Sequence, residues 1–370
     1  MTKLWILLAV SLALAWIIDN RDRVLQHRRI SQREHFVTWI LILILAFFCG
    51  LRIWGNDTTT YLMMYDQIPL LDEYVSSGGY DFAGGYGFGW ITSLLKTWGF
   101  SSQDYLMFYA FATVIPYVLF VRRHSQSMVF GIFLMFATGF YTFSLAAIKQ
   151  CVATGLCLMA IDCALDRKWI RYGLLVVAAT LFHPYALVYF VVPPMMFKPW
   201  TFRTFLYMAV FIAAGFYLDT LLGTVLDITD MMGASYTEES FTGEGVNLFR
   251  VAVSFAPLIL AMLYGRPLFR GSSREDDLMF NLAMLNALIM FVGIFGTANY
   301  FARLANYFLP AQVIVLPWIL GKAHPRDKAW LIPCCVVGYL GYFYYENAIA
   351  RPFDISYSHM SFWAYIAGLF

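Results

Sequence analysis

The sequence predicts an all-α, polytopic integral membrane protein: about 10 full spans plus one helical hairpin, 12 helices in a single transmembrane domain over residues 1–370. Three observations carry this. The chain is 61% hydrophobic and only 13% charged, whereas soluble chains run near about 45–50% and about 25%. Apolar runs recur at about the length that crosses a bilayer. Basic residues collect in alternate breaks between those runs. The composition excludes a water-soluble enzyme with a polar coat, a disordered chain, a coiled coil and a collagen. The formal charge of +2 provides no bulk field to recruit nucleic acid.

The apolar runs lie near 3–18, 36–52, 104–121, 127–145, 148–165, 204–222, 248–264, 277–297, 304–320 and 329–345. All must be helical, because hydrocarbon offers backbone groups no partners. The first run resembles a signal peptide after Lys3. However, Arg21, Arg23, Arg28, Arg29 and Arg33 follow directly with no cleavage site before them, so it is expected to stay attached. Segment 169–197 is split by His183-Pro184. At ~1.5 Å per residue each half reaches about 21 Å, so this segment reads as a helical hairpin with His183 at its tip. No repeat, low-complexity stretch or linker divides the chain.

Most of the 25 basic residues fall in loops that alternating crossings place on one side. They are the arginines of 19–35; Arg122 and Arg123; Arg167, Lys168 and Arg171; Lys198 and Arg203; Arg266, Arg270 and Arg274; and Lys322, Arg326 and Lys328. That side is expected to be the cytoplasm. Its loops are too short to fold a nucleotide-binding domain. No glycine-rich phosphate loop follows a strand. The larger segments, 53–103, 223–246 and the tail 346–370, are expected outside the cytoplasm. Chemistry there has no nucleotide-activated donor, and a lipid-borne substrate would meet that need.

The six cysteines lie in apolar stretches without zinc-type spacing and read as packing residues. No H-E-x-x-H or His/Asp cluster suggests a metal. The acidic loop 223–246 (Asp227, Asp230, Glu238, Glu239, Glu244) reads as a solvated lid, and its spacing does not support a cation loop. His27, His35, His124 and His324 fall in cytoplasmic loops and look ordinary.

The informative charges are those on the other side: Arg52, Lys96, Lys149, Arg250, Arg303 and Arg351. Arg52, Lys149 and Arg303 sit at span ends, where a cation in lipid calls for an anion. Phosphate suits them, since arginine grips it bidentately and lysine acts as a point charge. Snorkelling to headgroups or pairing with a carboxylate is the alternative. In G-L-R-I-W-G-N-D-T-T-T-Y (50–61), Gly55-Asn56 makes a turn. Asp57 then either caps the following helix or works beside Arg52, orienting it or acting as a base. Aromatic residues crowd 53–103 and 346–370, among them Trp54, Tyr61, Tyr80, Trp90, Trp98, Phe353, Tyr357 and Trp363. An interfacial belt and a sugar-stacking cleft both account for them. The glycine-rich stretch 78–89 reads as a flexible aromatic loop, and Leu94, Leu95, Trp98 and Phe100 as a surface amphipathic piece. His183, in apolar surroundings, is either a general base or a hydrogen-bonded structural residue; desolvation favours its neutral form.

Several of these stretches resemble the EpsG family of bacterial exopolysaccharide proteins, a Wzy-type polymerase group. They are residues 50–61, G-F-Y-T-F-S-L-A-A-I-K-Q (139–150), D-R-K-W-I-R-Y-G-L-L-V-V-A-A-T-L-F-H-P-Y-A-L (166–187) and Y-F-A-R-L-A-N-Y-F (300–308). The resemblance implies a GT-C-like fold in the bacterial inner membrane. It also implies polymerisation of undecaprenyl-pyrophosphate-linked repeat units outside the cytoplasm, with inversion. Lys149-Gln150 stands where the family usually shows Arg-Gln, which keeps the charge and loses the bidentate fork. Pro184-Tyr185 replaces the usual small polar or basic residues after the family histidine.

On this reading Arg52, Lys149 and Arg303 hold the pyrophosphate. His183, or else Asp57, takes the hydroxyl proton. Gln150, Tyr61, Trp54 and Tyr300 position sugars. No cofactor and no metal is expected. The expected partners are undecaprenyl-pyrophosphate-linked glycans and the lipid bilayer, with a flippase and a chain-length co-polymerase beside them, and no nucleic acid. A glycan ligase using the same donor and a lipid-linked glycan flippase are the alternatives.

Overall fold

The computed structural model describes residues 1–27, 36–78, 85–218, 245–296 and 298–357, and the described chain is mostly helical. Helices α1 (Thr2–His27) and α2 (Phe36–Gly50) lead to a short strand β1 (Arg52–Trp54). Then come α3 (Thr58–Gln67), α4 (Leu71–Ser76), α5 (Tyr86–Thr97), α6 (Ser102–His124), α7 (Met128–Ala137), α8 (Phe140–Phe143) and α9 (Ile148–Leu165). Helix α10 (Trp169–Thr180) is followed by two 3₁₀ segments, Pro184–Val191 and Pro193–Met195. The chain continues through α11 (Phe202–Phe216), α12 (Leu248–Tyr264), α13 (Arg274–Val292), α14 (Ala298–Asn306), α15 (Leu309–Lys322) and α16 (Pro325–Tyr344). A π turn (Tyr345–Ala350) and strand β2 (Ser356–Tyr357) close the described chain.

Among the described residues, three helices are long and apolar enough to cross a membrane: Thr2–Asp22, Ser102–His124 and Ile148–Leu165. The bent pair Tyr300–Asn306 and Leu309–Lys322 adds a fourth if counted as one span. Several other apolar helices run only 10–17 residues, below the ~20 a straight crossing takes.

Two of the expected spans are broken, and the breaks shape the interior. Residues 127–145 form no single helix. Helix α7 ends at Thr138, Gly139 turns at φ 83°, and α8 restarts for one turn. A positive φ suits glycine because no Cβ meets the neighbouring carbonyl. In the second case, α14 and α15 meet at a 55° bend around Tyr307-Phe308. Pro310, in the first turn of α15, cannot continue the hydrogen-bond ladder of α14. Non-helical backbone at membrane depth is stable where it lines a cavity, and both breaks do so.

The hairpin expected over 169–197 is present with one correction. Its outgoing half is α-helical but its return is 3₁₀, with His183 extended between them (φ −152°, ψ 115°). Proline starts both 3₁₀ segments, a position whose N–H would have no intrahelical partner in any case. The Tyr172 hydroxyl donates to the Tyr189 carbonyl across the hairpin.

The basic loops converge on one end of the bundle. Arg122 pairs with Asp22 at 2.6 Å, Arg123 with Asp162 at 2.8 Å, and Lys198 with Asp277 at 3.2 Å. His124, expected to be unremarkable, bridges Asp162 (2.7 Å) and Glu275 (2.8 Å) and so links α6, α9 and α13. At the other end, the described residues of segment 53–103 are folded rather than loose. Its Tyr61, Tyr65, Phe88 and Leu95 form a second apolar core with Tyr105, Tyr109, Ile148 and Val152. Leu95 of the amphipathic piece faces this core, while Trp98 is exposed. Residues 79–84 of the glycine-rich stretch, 219–244 of the acidic segment and 358–370 of the tail lie outside the described residues. So do the expectations resting on them: Tyr80, the lid read into 223–246, and Trp363.

Candidate functional site

The site starts from the turn after α2. Gly55 (φ 107°) and Asn56 (φ 48°) are both left-handed and swing Asp57 to the head of α3. Asp57 occupies the N-cap position, but its side chain makes no cap hydrogen bond, which corrects the capping expectation. Arg52 is buried and turned the other way. Its Nε donates to Thr58 Oγ1 at 3.0 Å, and its Nη1 donates to the Cys49 carbonyl. Arg52 therefore ties the end of α2 to the start of α3. Strand β1 pairs antiparallel with β2, Arg52 opposite Tyr357 and Trp54 opposite Ser356. Trp54 itself is about half exposed.

Beneath this turn lies a cavity of about 260 Å³. Its walls come from the α7–α8 break (Thr138, Gly139, Thr142), the α14–α15 bend (Arg303, Asn306, Leu309) and α12 (Arg250, Ser254). The Asn56-Asp57 turn and the segment Glu346–Phe353 complete it. Of the expected site residues, Asp57 and Arg303 line this cavity; Arg52, Lys149, His183, Gln150, Tyr61, Trp54 and Tyr300 do not.

Several of the latter nevertheless form the layer behind Arg303. Gln150 is buried, and its Nε2 donates to the Arg303 carbonyl at 2.5 Å. His183 lies within electrostatic reach of Arg303 and Lys149, and its Nδ1 shares a 2.9 Å hydrogen bond with the Tyr307 hydroxyl. Its ring meets Tyr185 edge-on at 4.9 Å, and Tyr185 meets Tyr300 at 5.3 Å. The Lys149 ammonium sits 5.3 Å over the Phe88 ring. Burial pushes the Tyr61 phenol above its usual range, and the Asp57 charge adds to the push, while a hydrogen bond at the Lys149 backbone opposes it. Tyr61 therefore stays protonated.

The cavity holds three charged residues that the sequence reading kept out of the site. Arg250 makes a two-pronged pair with Glu346, with Nε to Oε2 at 3.1 Å and Nη2 to Oε1. Arg351 lines the same wall. Their signal was in the sequence, since both are basic residues away from the cytoplasmic loops. Their meeting depends on the π turn after α16, which nothing in the hydropathy pattern announces. Among the described residues, no group of three or more His, Cys, Asp or Glu side chains could hold a metal.

The arrangement can hold an anion against a guanidinium and offer a carboxylate in the same cavity to accept a proton. The chain matches no curated protein and no solved structure. The model described as the EpsG family matches residues 35–366, nearly the whole chain. That family is associated with exopolysaccharide polymerisation, a glycosyltransferase-like activity, and its match and the apolar helices indicate a membrane protein. By that match, the chain belongs to the EpsG family.

Proposed function

We propose that the protein is a polysaccharide polymerase that joins undecaprenyl-pyrophosphate-linked oligosaccharide repeat units on the extracytoplasmic face of the bacterial inner membrane. The observation that carries this reading is Arg303 and Asp57 sharing one polar cavity in a chain that is only 13% charged. Family membership supports it. So does the gathering of the basic loops at the opposite end of the bundle, where ion pairs join α1, α6, α9 and α13. On this reading the shorter helices also cross the bilayer, tilted or in a thinned region, giving about ten crossings and a GT-C-like architecture.

The reaction is one displacement. A hydroxyl of the acceptor's terminal sugar attacks the anomeric carbon of the donor chain. The new glycosidic C–O bond forms as the bond to pyrophosphate breaks, and that bond's electrons leave with undecaprenyl pyrophosphate. Attack from the far side inverts the anomeric configuration. The leaving group is already activated, so no nucleotide is needed. Arg303 offsets the charge developing on the leaving pyrophosphate. Asp57, in the same cavity, takes the hydroxyl proton; we prefer it to His183 because His183 does not line the cavity. Gln150 positions Arg303 through its backbone, and Lys149 adds positive field behind it. Tyr61, Trp54 and Tyr300 remain candidates for sugar contact as the glycan leaves the cavity, and Arg52 holds the turn that carries Asp57.

Purified protein in nanodiscs, given lipid-linked repeat units, is expected to yield a ladder of products one repeat apart. Transfer of finished chains to a different acceptor would mark a ligase, and lipid-linked glycan crossing the bilayer without bond formation would mark a flippase.

A further inference from the structure

The three arginines of the cavity are not equivalent. Arg250 is neutralised by Glu346, which takes both prongs of its guanidinium. Arg303 and Arg351 make no ion pair with a carboxylate among the described residues. They reach the cavity from different elements, Arg303 from α14 and Arg351 from the turn after the π segment. Arg351 is held there by its backbone, since its N–H donates to the Glu346 carbonyl at 3.0 Å. The next residues are fixed too: the Phe353 N–H donates to the Asn347 carbonyl at 2.7 Å, and the Phe353 ring stacks on Phe48 at 6.3 Å. Arg351 is also within electrostatic reach of Arg250. Among the described lining residues, one paired guanidinium and two without a carboxylate partner stand against the one further carboxylate, Asp57. Two guanidiniums presented from separate elements suit an anionic ligand that offers each of them its own charged group.

We propose that Arg351 is a second phosphate-binding residue of this cavity, gripping one phosphoryl group of a lipid diphosphate while Arg303 grips the other. This rests on the glycosyl-transfer reading and extends it: the site is built to distinguish a diphosphate leaving group from a monophosphate. Arg351 then replaces Arg52, whose guanidinium is engaged by Thr58 and Cys49, as a member of the clamp.

The test measures binding of undecaprenyl diphosphate and undecaprenyl monophosphate to the full chain in zwitterionic nanodiscs, so that it does not depend on polymerisation. The unaltered protein is expected to favour the diphosphate by about tenfold or more, the range of one charge-assisted hydrogen bond. Arg351→Gln and Arg303→Gln should each bring diphosphate affinity down toward that of the monophosphate, and Arg351→Lys should recover part of the difference. Arg351 is solvent-exposed, so its variants should fold; Arg303 is half-buried, and unchanged thermal unfolding would verify the fold of each variant. An unchanged diphosphate preference in Arg351→Gln would overturn the proposal. So would an effect of Arg351→Gln seen only after anionic phospholipid is added, which would assign the arginine to lipid headgroups. Diphosphate selectivity without laddering in the unaltered protein would sink the polymerase reading and leave this one standing.

Discussion

Gln150 donates from its buried amide to the backbone carbonyl of Arg303 at 2.5 Å, across 153 positions of sequence. Helix α9 thereby fixes the last turn of α14, the stretch that presents Arg303 to the cavity. Replacing Gln150 by Leu is expected to leave that carbonyl unsatisfied at a cost of about 1–3 kcal/mol. The expected outcome is a lowered melting temperature in detergent, together with slower laddering because Arg303 is no longer held. Wild-type turnover in Gln150→Leu would show that the bond has no part in placing the arginine.

Asp57→Asn should keep the fold and remove the proton acceptor. Turnover is expected to fall by ~10²–10⁴-fold, the range of a general base, with substrate affinity little changed. The companion variant is His183→Ala. It breaks the hydrogen bond to Tyr307 and should reduce stability while laddering persists. A folded His183→Ala protein that makes no product, beside an active Asp57→Asn, would transfer the base role to His183.

Glu346→Ala leaves Arg250 partly buried without its partner, the two side chains being 12% and 17% exposed. Removing one member of such a pair costs about 3 kcal/mol, which thermal unfolding should register. The double variant Arg250→Met with Glu346→Leu is expected to regain most of that stability. If the double variant is no more stable than Glu346→Ala, packing rather than the ion pair accounts for the loss.

Gly55→Ala tests the turn beneath Asp57. At φ 107° an alanine is strained, and its Cβ would run into the Asp354 carbonyl. Strain of this type costs ~1–3 kcal/mol. The expected result is separation of β1 from β2, read as faster proteolysis within 351–357 and lost activity. Resistance equal to that of the unaltered protein would disprove the contact.

The parts of the fold legible in the sequence are those set by local chemistry. The ends of α6, α9 and α15 follow from Arg122–His124, Arg167–Lys168 and Lys322, because a charged group is costly in hydrocarbon. The Gly55-Asn56 turn was legible because both residue types accept a positive φ. The break at Gly139 was not, because apolar residues run on both sides of it and hydropathy does not register a change of backbone direction. Arg303 and Asp57 were identified by type and position, and Arg52 was identified on the same grounds. Its guanidinium points into the α2–α3 junction, and the direction of a side chain is not written in spacing. Arg351 was visible as a charge, but only the π turn, which brings it beside Arg250, makes it part of a cavity.

Strand β1 finds its partner some three hundred positions later, at Ser356–Tyr357. The chain as far as Tyr357 must therefore be synthesised before this wall of the cavity can close, and pairings so distant in sequence form late. Until those strands meet, the hollow is unfinished, and on the polymerase proposal it could not yet hold a lipid-linked glycan. Competence for such a ligand would arrive only once these two distant strands have joined.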